Sequence, residues 1–158
     1  MVTSVDSPDR GVRAMSLADT FRQVLAAVAQ PLRNQGFTRY GQSFYLRGPD
    51  HWGVLAFQKS VHNSPDLHRF TLNLGVYSAR LSPTSSLPSE KPSVWACHWH
   101  ERLGILVHGR DKWWEITSST NAARLVRDVN AAILQHALPQ VARQMSDEAL
   151  RDYYLSGA

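Results

Sequence analysis

Cysteine is almost missing: the 158 residues contain one, Cys97. That excludes an internal disulfide framework and a cysteine-rich zinc module. No apolar run reaches the roughly 18–20 residues that a membrane-spanning helix needs. Met1 to Ala14 is polar and charged at Asp6, Asp9, Arg10 and Arg13, without the apolar stretch of a secretory signal. A cytoplasmic location with no membrane partner is therefore expected, and a lone thiol suits a reducing compartment. The chain has no Gly-rich phosphate loop ending in Lys-Ser/Thr and no G-x-S-x-G elbow, so no cofactor is expected.

Charge of one sign is in modest excess. Lys and Arg number 17 against 13 for Asp and Glu, a formal net charge of +4. Arg10 to Lys59 is the most basic stretch, with seven Arg or Lys and two acids. That bias would attract phosphate backbones, but the cations are dispersed, and an ordinary solvated surface explains them as well. At 43% hydrophobic and 19% charged, the composition is that of a globular protein. The length suits one domain. The expectation is a flexible leader over residues 1–15 and a single domain over 16–158.

Ser16 followed by Asp19 has the form of a capping box. Phe21, Val24, Leu25, Val28 and Leu32 then recur at helical spacing up to Gly36, which predicts a helix over 17–34. The period next shortens to two. Strands are expected from Phe37 to Tyr40, Ser43 to Arg47, Trp52 to Lys59, Arg69 to Tyr77, Val94 to Val107 with a break at Gly104, and Lys112 to Thr117. Turns fall at Gly48-Pro49-Asp50 and Gly109-Arg110-Asp111. Ser82 to Ser93, rich in Ser and Pro, reads as an exposed loop. Ser118-Ser119-Thr120 would cap a second long helix with Leu125, Val126, Val129, Ala132, Ile133 and Ala137 inward, ended or kinked by Pro139. A last helix over 147–155 would start from Ser146. Strands in a run between helices, on short connections, predict an α+β fold: an antiparallel meander of five or six strands with the helices on one face.

Strand parity then sorts the side chains. Leu55, Phe57, Phe70, Leu72, Leu74, Cys97 and Trp99 should face the core. Gln58, Thr71, Asn73, His98, His100 and Arg102 should share the opposite face, left open or lightly covered, with a Trp of the Trp113-Trp114 pair, taken as Trp114, at its rim. This polar face is the candidate binding surface, offering hydrogen-bond donors and acceptors, imidazoles and an anion-binding guanidinium. The bland alternative is the wet side of an ordinary antiparallel sheet.

His98-x-His100 could present two ligands to one metal, but zinc needs three or four, so no metal is expected. His100-Glu101 opens like a zinc-protease helix, yet Gly104 stands where the second histidine belongs. Cys97 beside His98 points away from it on a strand and reads as a structural thiol.

Leu32-x3-Gly36-Phe37, Phe44, Phe57-Gln58-Lys59-Ser60, Phe70-Thr71-Leu72-Asn73-Leu74-Gly75, Arg102-Leu103-Gly104, Trp113-Trp114 and Leu138-Pro139 occur in that order. Together they resemble a bacterial family known as domain of unknown function 4304, over roughly Leu17 to Leu150. The resemblance implies a shared compact domain and no mechanism. It places Gln58, Lys59, Asn73 and Arg102 inside recurrent motifs. The expected function is a binding module for a protein partner or a small anionic ligand, such as an immunity or accessory protein of a toxin-like system. A phosphoesterase or nuclease using His98 or His100 as acid/base, with Arg102 as anion clamp, is the enzymatic alternative. Non-specific RNA binding is the third.

Overall fold

The computed structural model describes residues 15–88 and 90–157. Apart from Met15, the leader expected over residues 1–15 lies outside the described residues.

Helix α1 (Leu17–Asn34) begins where the sequence says it should. Ser16 Oγ accepts from the Asp19 N–H, and Asp19 returns a carboxylate to the Ser16 N–H, each at 3.1 Å. It ends with Phe37 N–H on the Leu32 carbonyl and Gly36 N–H on the Arg33 carbonyl. That closure needs a left-handed residue, which Gly36 supplies at φ +92°.

Strands β1 (Thr38–Tyr40), β2 (Ser43–Arg47), β3 (His51–Lys59), β4 (His68–Ser78) and β5 (Trp99–Arg102) are neighbours in sequence order, all antiparallel. β6 (Trp114–Ile116) also pairs with β4. The fold is α+β, with a six-stranded antiparallel sheet between an N-terminal helix and C-terminal helices. β5 pairs with Asn73–Val76 and β6 with His68–Phe70. The two short strands run the same way along one edge of β4, as a single strand line interrupted by residues 103–113.

Leu55, Phe70, Leu72 and Leu74 are fully buried and Phe57 nearly so, packed with Phe21, Val24, Val28, Val129, Ile133 and Val141 from the helices. Each such side chain contributes roughly 1.5–3 kcal/mol on burial. Among the described residues no helix is long and apolar enough to cross a membrane.

Four expectations need correction. Only Trp99–Arg102 of the stretch 94–107 is strand. Ser93 Oγ caps a 3-10 turn, Val94–Ala96, and Leu103–His108 forms helix α2. The second helix, α3 (Ala122–Ala132), is capped by Asn121, whose side chain accepts from the Arg124 N–H at 3.0 Å. Thr120 Oγ1 is turned to the Thr117 N–H instead. Pro139 does not end the helix. A π turn at Ile133–Ala137 widens the backbone just ahead of it, and the chain continues as α4 (Leu138–Gln144). Such a turn relieves the clash of the proline ring with the preceding carbonyl. Helix α5 (Asp147–Leu155) follows as expected, capped by Ser146.

The fourth correction concerns Cys97, expected to face the core; the second sheet face itself is covered in part. The 3-10 turn lies over it and builds a smaller apolar cluster of Tyr45, Trp52, Val54 and Val94, with Cys97 at its edge. Cys97 therefore sits on this face rather than in the main core. It is admitted by Gly75, where a Cβ would stand 2.7 Å from the Cys97 Sγ.

One core group is out of place chemically. His68 is 7% exposed and stacks on Phe21 at 5.3 Å, and its buried Nε2 has no partner among the described residues. Burial, helped by the nearby Lys59, holds its pKa below the usual 6.5. With the folded value depressed, stability is fully present above about pH 6.5 and declines as pH falls through the folded pKa, because only the unfolded chain takes up the proton there. The expected slope from this residue is up to about 1.4 kcal/mol per pH unit. Thermal melts between pH 7 and pH 5 should show a shallower acid decline for His68→Phe than for the parent. Parallel declines would show that His68 is not the group responsible.

Candidate functional site

The register of the sheet aligns one row of side chains across five strands. Tyr40 pairs with Ser43, Ser43 with Ala56, Ala56 with Asn73, and Asn73 with Arg102. All five belong to the second face. Ser43 and Ala56 are small, so the row dips between Tyr40 at one end and Asn73 and Arg102 at the other. The 3-10 turn with Trp95 bounds one side, and Gln42 and Gln58 bound the other. The resulting groove, about 560 Å³, is lined by Tyr40, Tyr45, Gln58, Asn73 and Trp95 among others. A second recess of about 420 Å³ adjoins it at Tyr40 and Tyr45, beside Glu90 and Lys91.

The polar end of the groove is a closed network. Arg102 Nε donates to Asn73 Oδ1 and Arg102 Nη2 to Gln58 Oε1, each at 3.4 Å. A guanidinium has no acceptor, so these contacts fix both amides with oxygen toward the arginine. Asn73 Nδ2 then donates to Gln58 Oε1 at 2.8 Å. His100 Nε2 lies 3.3 Å from Asn73 Oδ1 and must be the donor. Each amide oxygen thus accepts twice, which exhausts its lone pairs. Gln58 Nε2 has no acceptor among the described residues.

Arg102 is also anchored from outside. Its Nη1 meets Asp111 Oδ2 at 2.6 Å, the same oxygen accepts from Trp113 Nε1 at 3.2 Å, and the guanidinium lies 5.1 Å from the Trp113 ring centre. Trp95 meets His100 edge to face at 4.8 Å. Burial is the main cause that lowers the His100 pKa. Arg102 adds to it and Glu101 opposes. The ring is therefore neutral near pH 7, with its proton on Nε2. Burial pushes the Cys97 thiol up to about 12, so it is no thiolate nucleophile at neutral pH.

Gln58, Asn73, His100 and Arg102 are thus brought together as the sequence suggests, and the other three candidates are not. Thr71 is fully buried, and its hydroxyl donates to the Lys112 carbonyl. His98 lies toward the far end of β4, against Tyr77, with Nδ1 accepting the Ser78 N–H at 2.9 Å. Trp114 is on the helix-covered face, stacked on Phe70 at 5.4 Å. The alternation of the tryptophan pair holds, but Trp113 is the one beside Arg102. His98 and His100 gain no further metal donors: among the described residues no three His, Cys, Asp or Glu side chains converge.

Sequence reasoning did not select Tyr40, Tyr45, Trp95, Lys91, Asp111 or Trp113 for this face. A signal existed for Tyr40. Gly41, at φ +62°, implies a two-residue hairpin turn that puts Tyr40 opposite Ser43.

No curated protein and no solved structure matches the chain. A family model described as a domain of unknown function (DUF4304) matches residues 28–143. That span takes in the whole sheet, the groove and its network, and the chain belongs to this family.

Proposed function

We propose that this domain is a non-catalytic binding module, working in a bacterial cytoplasm, that holds a protein partner or a small anionic ligand in the groove on the second sheet face. The observation that carries the reading is the pre-set polar end. Gln58, Asn73, His100 and Arg102 are locked by one another before any ligand arrives, so little ordering cost remains for binding. Exposed aromatics stand along the same groove, Tyr40 at 70% and Trp95 at 61% exposure. Large aromatic side chains left in water beside fixed donors are the usual anchors of a recognition surface. An immunity or accessory role in a toxin-like system is one form such a module would take.

Hydrolysis has weaker support. The Nε2 proton of His100 is committed to Asn73, Nδ1 of His98 is committed to a backbone N–H, and the Arg102 charge is met by Asp111. His100 keeps a lone pair at Nδ1, as a general base requires, but the Arg102 guanidinium that would clamp the phosphate beside it is already paired. RNA binding would call for cations along the groove, and the pairing of Arg102 works against it.

The test is affinity capture from a bacterial lysate with the parent, Trp95→Ala and Arg102→Ala, each checked for folding by circular dichroism. A partner or co-purifying small molecule held by the parent should fall about tenfold or more in both variants. Equal recovery would overturn the proposal. So would phosphodiester turnover that is present in the parent and lost in His100→Ala.

A further inference from the structure

We infer that the occupant of the groove is an extended acidic segment of a protein partner, lying across the strands. The inference rests on the binding-module reading and adds the chemistry of the ligand.

Length is the first argument. From Tyr40 to Arg102 the row crosses four strand spacings, about 19 Å at roughly 4.8 Å each. At about 3.3 Å per extended residue that distance accepts some five or six residues of chain. A single small anion would occupy only a fraction of it.

Polarity is the second. The amide oxygens of Gln58 and Asn73 are saturated from within, so these two side chains show a ligand only the Gln58 N–H donors. Ser93 Oγ, on the groove wall, is already turned to the Trp95 N–H. Unpaired N–H donors at that end favour a ligand with acceptors to meet them, and carboxylates and peptide carbonyls both qualify.

Charge is the third. Lys91 stands at the Tyr40 end, with its Nζ 5.8 Å from the Tyr40 ring centre and 6.0 Å from that of Tyr45. Arg102, at the other end of the row, is already paired with Asp111, so what that end offers a ligand is the Gln58 N–H group. Glu90 is the one acid among the described residues lining the groove and its adjoining recess. A cation at one end and unpaired N–H donors at the other suit a peptide with separated acidic side chains. A nucleic-acid strand carries a phosphate on every residue, and the middle of this groove, floored by Ser43 and Ala56, offers it no cation. Tyr40 and Trp95 would cover apolar side chains set between the acids.

The experiment pans a display library of short random peptides on the full chain. A selected peptide is then synthesised with a fluorescent label and titrated by anisotropy. Enrichment of Asp and Glu interspersed with apolar residues is the expected result. Lys91→Glu and Trp95→Ala should each weaken the selected peptide about tenfold. Arg124→Glu, on the helix-covered side, should leave it unchanged. Selected peptides that are neutral or basic yet still depend on Trp95 would overturn the acidic inference and leave the binding module standing. Failure to select any peptide would overturn it too. So would Trp95-dependent binding of a labelled oligouridylate in place of peptide. If nothing binds, and lysate capture is also indifferent to Trp95→Ala, both readings fall together.

Discussion

Gly104→Ala should lower the unfolding free energy by about 1–2 kcal/mol, although it replaces a glycine inside a helix with the best helix former. Intrinsic propensity alone would make the change stabilising by about 1 kcal/mol. The space around the residue decides otherwise. A Cβ at Gly104 would stand 2.5 Å from the backbone nitrogen of Lys112, 3.1 Å from the Lys112 Cβ and 3.2 Å from the Arg110 carbonyl oxygen. A long side chain could swing away from such contacts, but these are mostly main chain, held between α2 and β6. The two segments must part, and overpacking of this kind commonly costs about 1–3 kcal/mol or more. Leu103, next to it, is fully buried in the core, so the strain reaches the sheet. Urea unfolding measures the loss directly, and the melting midpoint should drop by roughly 2–8 °C for a domain of this size. A midpoint that rises would mean that helix propensity outweighs the contact.

Asn73→Leu should cost about 2 kcal/mol of stability and abolish binding in the groove. The side chains are similar in volume and Asn73 is only 1% exposed, so no large cavity opens. What disappears is the hub: the acceptor for His100 and for Arg102 Nε, and the donor to Gln58. Leaving buried donors without an acceptor costs roughly 1–3 kcal/mol, offset in part by the apolar gain. Asn73→Asp separates the two effects. Its carboxylate still accepts from Arg102 and His100, but has no N–H for Gln58. Gln58 is then expected to turn its own N–H group inward and its oxygen toward the groove. Stability should change little while affinity for an acidic peptide falls about tenfold, since an acceptor now meets an acceptor. The carboxylate should also raise the His100 pKa, visible by NMR titration of the ring. Parental affinity in Asn73→Asp would show that the orientation of Gln58 does not govern recognition.

Much of the architecture was legible because local rules were obeyed locally. Ser16 with Asp19 and Gly36 mark both ends of α1. Alternation along β3 and β4 identifies Leu55, Phe57, Phe70, Leu72 and Leu74 as core. The stretch 94–107 misled because apolar and aromatic residues flank its polar middle, His98 to Arg102, on both sides, and such composition does not distinguish a strand from a 3-10 turn or a short helix. Its true punctuation is a serine cap at Ser93 and a close approach at Gly104, and the second is a tertiary fact. Parity grouped Gln58, Asn73, His100 and Arg102 on one face. It could not say that Thr71 is sealed beneath Lys112, or that His98, though of the same parity, belongs to another part of the sheet. It also could not say which tryptophan of the pair faces Arg102, because the excursion before β6 resets the phase. Trp95 and Lys91 lie outside any strand, where periodicity gives no information.

The interrupted strand line along β4 has a consequence for engineering. Residues 103–113 leave and rejoin the sheet at a narrow neck, where Gly104 meets Lys112, and the turn at the far end is roomy: a Cβ on Gly109 would touch nothing within 4 Å. Asp111, just past that tip, grips Arg102. A small fluorescent module spliced at Gly109-Arg110 would be tethered through a single carboxylate to the floor of the groove, turning the scaffold into an optical reporter of occupancy.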